Sequence, residues 1–407
     1  MPILPLPSKM SKPLLWKSFE LHHFMFGYLY PSLLHMSTQD RVIIKHPLNW
    51  RLIPWLTFGL LGVSSMGILP LIYILFQELY LQRRKTSIVN ITIFIGLLFG
   101  NILPLGLSTL PLVDPEYVSA FNQILIWGNT LEIEDRKKRG TDLIGIYLCA
   151  TVILLGCSPL VVTSAAVIFN LDHFTYIFDD ILPDPTVRES LNHIIIPFLI
   201  RFIVVLILVK EGFRSLTHSF ILAATYVHEI SKGLRILTKL TSTSSSTSTF
   251  FVFYAQISMA NGAIRKTLGY LTALYIVCGQ FTTVVLLWMT VNGYEHVESL
   301  IVFLMFPVVA VIGIAFTIIM FEQAITIFER SNELVAMWKI GCVSRTPVNK
   351  LGTYELKIRT EVKRVARAQR AIAMTVGGLR IIQRGFQIEY LNLLMDNFTN
   401  AMLLIKI

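Results

Sequence analysis

The residues of this sequence best suited to chemistry are five polar side chains near its C-terminal end: Glu389, Asn392, Asp396, Thr399 and Asn400. Their spacings of three and four residues place all five on one face of a helix. A carboxylate buried in hydrocarbon costs about 2.5–3.5 kcal/mol, so two on one stripe need a water-filled cavity, a protein partner or protonation. In a symmetric oligomer the stripe would form rings of carboxylates around an axis, which favour cations in a channel. We therefore predict a pore lining; a stripe buried within a monomer, with Arg201 pairing Asp396, is the alternative.

Apolar and glycine residues flank this polar stripe. The outer end of the helix is apolar at Met402, Leu403 and Leu404, and apolar constrictions can close a channel by excluding water. These three residues are therefore gate candidates. Glycine allows a break in the chain or the close approach of two helices. Either a hinge or simple close packing would account for the three glycines that precede the helix: Gly377, Gly378 and Gly385.

The composition points to a membrane protein. Of the 407 residues, 54% are hydrophobic and only 15% are charged, whereas soluble proteins carry roughly 25% charged residues. A membrane-spanning helix needs about 20 mostly apolar residues. Seven such runs are present, so the sequence predicts an all-α membrane protein with spans at 54–77, 87–110, 143–168, 192–209, 269–291, 298–320 and 386–407.

The distribution of Lys and Arg predicts the orientation. Segments on one side of the predicted spans carry 29 of these residues and the alternate loops carry 4, and basic loops stay in the cytoplasm. The N-terminus is thus predicted inside and the C-terminus outside, the reverse of a G-protein-coupled receptor. The resulting organisation is a cytoplasmic segment (1–53), helices one to four (54–209), a cytoplasmic helical segment with a Ser/Thr linker (210–268), helices five and six (269–320), cytoplasmic anchor helices (321–385) and the pore-lining helix (386–407).

Several classes of function are not expected. The net charge of +10 comes from basic residues between the spans, which fits orientation in a lipid bilayer better than nucleic-acid binding. None of the four cysteines has the spacing of a metal site, and no nucleotide-binding or hydrolase motif is present. We therefore predict no metal, no cofactor and no enzymatic activity.

Two further sets of residues within the spans could carry function. Aromatic and apolar walls with few polar groups suit a small, mostly apolar ligand, although such residues also serve packing or lipid contact. Arg201 lies in an apolar run, where an ionisable residue is either functional or structurally paired. With Glu389 and Asp396 it could form the coupling site of a monomeric secondary transporter. The candidate ligand-binding residues in the outer halves of the spans are Phe94, Thr163, Phe169, His193, Phe198, Phe303 and Phe306.

The layout resembles the insect-type seven-transmembrane chemoreceptors, the superfamily of odorant and gustatory receptors. The residues that carry the resemblance are Phe24–Pro31, Glu322–Asn332, Leu334–Trp338, Ala373–Leu379 and the final helix. The resemblance implies an inverted topology, a plasma-membrane location, and a homotetramer or a heteromer with a co-receptor. It also implies a central pore lined by the last helix, a cytoplasmic anchor of packed helices, and non-selective cation conduction gated by a ligand bound in the outer half of each subunit.

The final helix departs from the gustatory branch of that superfamily. Gustatory receptors carry a Thr-Tyr pair followed, five residues later, by Gln-Phe. The corresponding pairs here are Asn397-Phe398 and Leu404-Ile405, so the position of the gating glutamine is apolar. The carboxylates Glu389 and Asp396 are not taken from the family pattern either. The resemblance therefore indicates a divergent member.

Overall fold

The structure is a computed structural model that describes residues 14–27, 30–37, 39–81, 88–114, 116–132, 142–181, 191–243, 247–292, 300–344, 364 and 368–404. Two short antiparallel hairpins accompany the helices, formed by β1 (Leu34–Ser37) with β2 (Val42–Lys45) and by β3 (Thr375–Val376) with β4 (Arg380–Ile381). The helical elements are α1 (Leu14–Phe26), a 3-10 turn (Trp50–Leu52), a π-helix (Trp55–Ile68), α2 (Leu69–Leu79), α3 (Ile88–Val113), α4 (Glu116–Glu132), α5 (Leu143–Cys157), α6 (Pro159–Ile168), α7 (Phe174–Ile181), α8 (Leu191–Thr243), α9 (Thr247–Asn292), α10 (Leu300–Ser344) and α11 (Arg384–Leu404).

The described helices include several that suit a lipid bilayer. Three stretches are long and apolar enough to cross a membrane: Trp50–Leu79, Phe251–Asn292 and Phe303–Lys339. The pair α5 and α6, bent by 42° at Pro159, is a fourth if it forms one span. In each of the three stretches, at most a third of the most apolar part is buried. Many apolar side chains are therefore left on the outside of the protein, where lipid can surround them. The chain is thus an all-α membrane protein; the count of seven spans and the orientation stay predictions.

Three helices are much longer than a bilayer requires. The helices α8, α9 and α10 have 53, 46 and 45 residues, whereas a 30 Å hydrocarbon core needs about 20. Their continuation past the apolar runs agrees with the helical pattern of the segments predicted to be cytoplasmic. Part of the predicted Ser/Thr linker is helical, because α8 extends to Thr243 and α9 begins at Thr247.

The largest buried cluster joins these long helices to α1, α4 and α5. Aromatic rings dominate it, which gives large buried areas and specific geometry. Trp338 of α10 packs edge-on against Phe251 and Tyr254 of α9, with ring centroids 4.7 and 5.1 Å apart. Phe220 of α8 stacks on Phe316 of α10 at 3.8 Å. These contacts pack α8, α9 and α10 together; their role as a cytoplasmic anchor stays a prediction.

One part of the predicted anchor is not helical. The sequence pattern suggests a helix with Ile372 and Val376 on its apolar face, but residues 371–374 are not helical and Val376 lies in β3. The reason is that the backbone makes other hydrogen bonds than those of a helix. The N–H of Ile372 donates to the hydroxyl of Ser331, and β3 pairs with β4. Residues 345–363, where most of the predicted amphipathic helix falls, lie outside the described residues.

A chain of buried hydrogen bonds connects the backbone at Arg370 and Ile372 to the long helices. The hydroxyls of Ser331 and Tyr254 lie 2.6 Å apart, and Tyr254 donates to the carbonyl of Arg370 at 2.6 Å. Because tyrosine has a single proton to donate, Ser331 donates to Tyr254 and accepts from the N–H of Ile372. One serine therefore links α9, α10 and the segment that leads to α11.

We expect Ser331→Ala to destabilise the protein by about 1–3 kcal/mol, because it leaves the buried N–H of Ile372 without an acceptor and removes one of the two hydrogen bonds of the Tyr254 hydroxyl. The measurement is the thermal unfolding temperature of the purified protein in detergent. Ser219→Ala is the matched control, since the Ser219 hydroxyl bonds only to the carbonyl of Ser215 in its own helix. Equal unfolding temperatures for the two variants would contradict the proposed link.

Candidate functional site

The polar stripe of α11 points away from the rest of its own subunit. All five of its residues are exposed: Glu389, Asn392, Asp396, Thr399 and Asn400. The opposite face is buried, with Tyr390 and Leu394 only 7% and 4% exposed. The alternative of a stripe buried within a monomer is therefore not what the structure shows.

The apolar face of α11 packs against α9 and α10 at two levels. In its N-terminal half, Phe386 and Tyr390 approach Phe321 edge-on, with ring centroids 5.6 and 5.2 Å apart. In its C-terminal half, Ala401 and Met402 pack against Trp288 and Met289. Two separate contacts of this kind determine the rotation of α11 about its axis, and hence the direction of the stripe.

The three gate candidates do not share one face. Leu403 is 64% exposed and follows Asp396 by seven residues, so it continues the polar stripe. Met402 faces the bundle, and its sulfur lies 3.1 Å from the side-chain nitrogen of Asn292. The side chain of Leu404 lies outside the described residues. Of the three, Leu403 is the one that the structure places beside the stripe.

The two carboxylates of the stripe have different surroundings. Glu389 makes a two-pronged ion pair with Arg380 of β4, with N–O distances of 2.6 and 2.8 Å. This geometry matches the planar guanidinium. Asp396, about two helical turns toward the C-terminus, has no ion-pair partner among the described residues.

Two of the three glycines before α11 form a turn. Gly377 and Gly378 have φ of +59° and +74°, a conformation that other residues adopt only with strain. The N–H of Leu379 closes the turn on the carbonyl of Val376 at 3.1 Å, and the N–H of Gly377 donates to Gly269 of α9 at 2.8 Å. A side chain at Gly269 would come within 2.9 Å of the backbone of this turn. Both a tight turn and a close approach thus require glycine here.

Gly385 differs from the other two glycines. It lies in the first turn of α11, and an added Cβ would meet no atom within 4 Å. Close packing therefore does not explain this residue. The hinge remains a prediction for all three.

The structure brings three of the ligand-binding candidates into adjoining clusters. Phe94 is 1% exposed and lies edge-on to Tyr176 of α7, with ring centroids 5.3 Å apart. Phe303 and Phe306 pack against the cluster around Trp288. Ile93 contacts both clusters. These residues come from α3, α7, α9 and α10, so only the tertiary structure unites them.

Thr163 and Trp288 each bury a polar atom that has no hydrogen-bond partner among the described residues, the hydroxyl and the indole nitrogen respectively. Buried polar atoms are usually satisfied, so unpaired ones deserve an explanation. Phe169 follows α6 and is half-buried, and Phe198 is 40% exposed; neither belongs to the aromatic clusters. The side chain of His193 lies outside the described residues.

Arg201 pairs with Asp172, not with Asp396. Its guanidinium forms an ion pair with Asp172 and donates to the hydroxyl of Thr175 at 2.6 Å and to the side-chain oxygen of Asn170 at 3.0 Å. The Arg201 and Asp172 side chains are only 12% and 2% exposed. The pair ties α8 to the connection between α6 and α7. Arg201 and the two stripe carboxylates therefore do not form one coupling site.

Sequence reasoning missed Asp172 as the partner of Arg201. From the sequence alone, Asp396 is the expected partner of Arg201, because Asp172 lies beyond the predicted span at 143–168. The available signal was its position immediately after an apolar run, where the chain must turn back toward the bundle.

Comparisons with solved structures support a specific architecture. The chain is similar to the insect olfactory receptor OR5 from Machilis hrabei in complex with eugenol, with a TM-score of 0.56 and 10% identity over 96% of this chain and 98% of that one. A second structure of the same receptor, whose description names no ligand, gives a TM-score of 0.54 and 11% identity over 96% of this chain and 97% of that one. The chain has an insect-olfactory-receptor-type fold.

The match over almost all of both chains confirms the predicted resemblance at the level of fold. The low identity marks this chain as a divergent example of the insect-receptor-type fold. No protein family and no curated protein matches the sequence. The similar structures are receptors and not enzymes, in agreement with the prediction that the chain has no enzymatic activity.

We expect Arg201→Met to destabilise the protein by about 3–5 kcal/mol, because it leaves Asp172 buried without its counter-charge. Thermal unfolding of the purified protein measures the effect. Arg384→Met is the control, since its ion pair with Glu329 is largely exposed and such pairs contribute little. The double variant Arg201→Met with Asp172→Leu should recover part of the loss; no recovery would argue against a paired role.

Proposed function

We propose that this protein is a chemosensory receptor of the plasma membrane that acts as a ligand-gated, non-selective cation channel. In this proposal four subunits surround a central pore lined by α11, either as a homotetramer or together with a co-receptor. The observation that carries the proposal is the exposed polar stripe of α11, which faces away from its own subunit. The insect-olfactory-receptor-type fold supports it.

The energetic argument starts from the environment of the stripe. A subunit alone in a bilayer would hold two carboxylates and several amides or hydroxyls against lipid, at about 2.5–3.5 kcal/mol for a central charge. Assembly around a water-filled axis hydrates the same groups. The apolar face of α11 is already covered by α9 and α10, so the polar face is the one left for the axis. Carboxylates around such an axis favour cations.

The ligand in this proposal is small and mostly apolar. The adjoining aromatic clusters around Phe94 and Trp288 offer apolar walls, and the unpaired Thr163 hydroxyl and Trp288 indole nitrogen offer hydrogen bonds. One of the similar receptor structures is described as a complex with eugenol, a small organic molecule. This supports a ligand of the same general size for the present chain.

The contacts of Trp288 also suggest how the binding of a ligand would affect the pore. Phe303 and Phe306 pack on the same cluster as Met402 of α11. A ligand that binds better when this cluster rearranges would shift the position of α11, because a ligand stabilises the state it binds more tightly. Leu403, next to Met402 but on the exposed stripe, is then the residue whose position in the pore changes.

We expect Asp396→Asn to lower the cation-to-anion permeability ratio several-fold, since it removes a ring of charges from the pore wall. The measurement is the reversal potential under a salt gradient, with the full chain reconstituted in planar bilayers. Glu116→Gln is the matched control, because Glu116 is an exposed carboxylate in the first turn of α4. An unchanged ratio in Asp396→Asn would contradict its place in the pore. An intact tetramer without ligand-evoked current would leave a receptor-like scaffold.

We expect Thr399→Cys to cross-link between subunits with a short bifunctional thiol reagent, giving dimers to tetramers on a denaturing gel. The stripe brings this position of each copy to the common axis. The test uses a background with the four native cysteines replaced. Leu304→Cys, exposed on α10, is the control that should stay monomeric. The opposite pattern would place α10 at the interface and contradict the proposed axis.

A further inference from the structure

A cavity of about 500 Å³ lies where α1, the β1–β2 hairpin and α8 meet. These elements belong to the segments predicted to be cytoplasmic, so the cavity is separate from the ligand-binding candidates in the outer halves of the spans. Its volume falls in the range of small-molecule sites. The proposed channel function does not use it.

Histidine side chains form much of the wall. Five of them line the cavity, from three parts of the sequence: His22, His23, His35, His46 and His218. The rings are near neighbours, with centroids 5.2 Å apart for His22 and His218, 5.4 Å for His23 and His35, and 5.9 Å for His35 and His46. This concentration accounts for five of the nine histidines of the chain.

The one guanidinium in the wall is already neutralised. Arg214 lies 3.3 Å from the carboxylate of Glu211, donates to the carbonyl of Tyr30 at 2.9 Å and lies over the ring of Tyr30 at 4.8 Å. Its side chain is 6% exposed. An anionic ligand would have to compete with Glu211 for this charge, so the cavity does not favour an anion.

The deeper histidines are uncharged at neutral pH. Burial, together with the nearby Arg214 guanidinium, lowers the pKa of His218 to about 4. Burial and the neighbouring His218 lower the pKa of His22 well below its ordinary value. The described residues also contain no cluster of three or more His, Cys, Asp or Glu side chains that could hold a metal ion. The deep end of the wall therefore offers the neutral imidazoles of His22 and His218.

One imidazole atom in the wall is left without a partner. The Nε2 atom of His218 is buried and has no hydrogen bond among the described residues, whereas His22 Nε2 contacts the carbonyl of Arg214 at 3.1 Å. An imidazole nitrogen is a donor or an acceptor according to its tautomer. A hydroxyl or amide on a ligand could satisfy either form, because such groups both donate and accept.

The remaining wall is apolar and aromatic. Phe19 and Phe26 of α1 and Leu34 and Met36 of β1 contribute to it, and all four belong to the buried core. Burial of apolar ligand surface against them would supply affinity at roughly 25 cal/mol per Å² before the costs of binding. Sites of this kind combine apolar walls with a few polar groups that orient the ligand.

We propose that this cavity is a second, inner binding site for a small uncharged organic molecule that hydrogen-bonds to His218. The molecule carries a hydroxyl or amide group for His218 Nε2 and an aromatic or aliphatic body for the wall formed by α1 and β1. It is uncharged because Arg214, the one arginine among the described lining residues, is already paired with Glu211.

The test uses three probes of the same shape: 4-fluorobenzyl alcohol, 4-fluorotoluene and 4-fluorobenzoate. Binding of each to the full chain in nanodiscs is followed by the fluorine resonance of the probe, with empty nanodiscs to subtract partition into lipid. We expect saturable binding of the alcohol, weaker binding of 4-fluorotoluene and none of the benzoate. No channel current is needed, so failure of the channel proposal would not affect this result.

Variants of His218 assign the binding to the cavity. We expect His218→Leu to weaken binding of 4-fluorobenzyl alcohol about 3- to 10-fold, the effect of one lost hydrogen bond. His218→Gln retains a polar group at similar depth and should recover part of the affinity. His228→Leu is the matched control, since this histidine is on the same helix but does not line the cavity.

Two results would overturn the proposal. The first is saturable alcohol binding that neither His218→Leu nor Ser32→Phe weakens, since Ser32 lines the cavity and the larger side chain would fill it. The second is selective binding of 4-fluorobenzoate, or of Zn²⁺ in place of the alcohol. An unfolding temperature close to that of the wild type shows that a variant is folded. If His218→Leu does not fold, Ser32→Phe alone tests whether the alcohol binds in the cavity.

Discussion

The two faces of α11 need different surroundings, and this constraint governs the rest of the molecule. Its apolar face is buried against α9 and α10, while its carboxylates and amides point away from the subunit. A bilayer cannot solvate those polar groups without a large penalty. Water around a shared axis can solvate these polar groups. The proposed tetramer would place these groups around such an axis.

Several unrelated contacts hold α11 in that orientation. Before the first residue of α11, the β3–β4 hairpin hydrogen-bonds to Gly269 of α9, and the Ser331–Tyr254 pair holds the segment that precedes the hairpin. Near the C-terminal end of α11, Met402 lies against Trp288 and Asn292. The helix is thus tied to α9 at both ends.

Buried charges join parts of the chain that are far apart in sequence. Arg201 of α8 meets Asp172 in the connection between α6 and α7, and Arg214 reaches the carbonyl of Tyr30, 184 residues away. A buried charge that loses its partner is costly, so each pair permits only the arrangement in which the partners meet. Around Arg214 the same low-polarity surroundings keep the nearby histidines uncharged, which gives the inner cavity its neutral polar character.

The sequence by itself determined the protein class, the helical nature of the long segments and the grouping of the polar residues on α11. Composition and the helical period carry this information, because they depend on residues close together in the chain. Only the tertiary structure decided the direction of the stripe, the pairing of Arg201 with Asp172 and the turn at Gly377 and Gly378. It also decided that five histidines meet at one cavity. A helical period tells which residues share a face but not what that face contacts, since contacts between distant segments depend on how the helices pack.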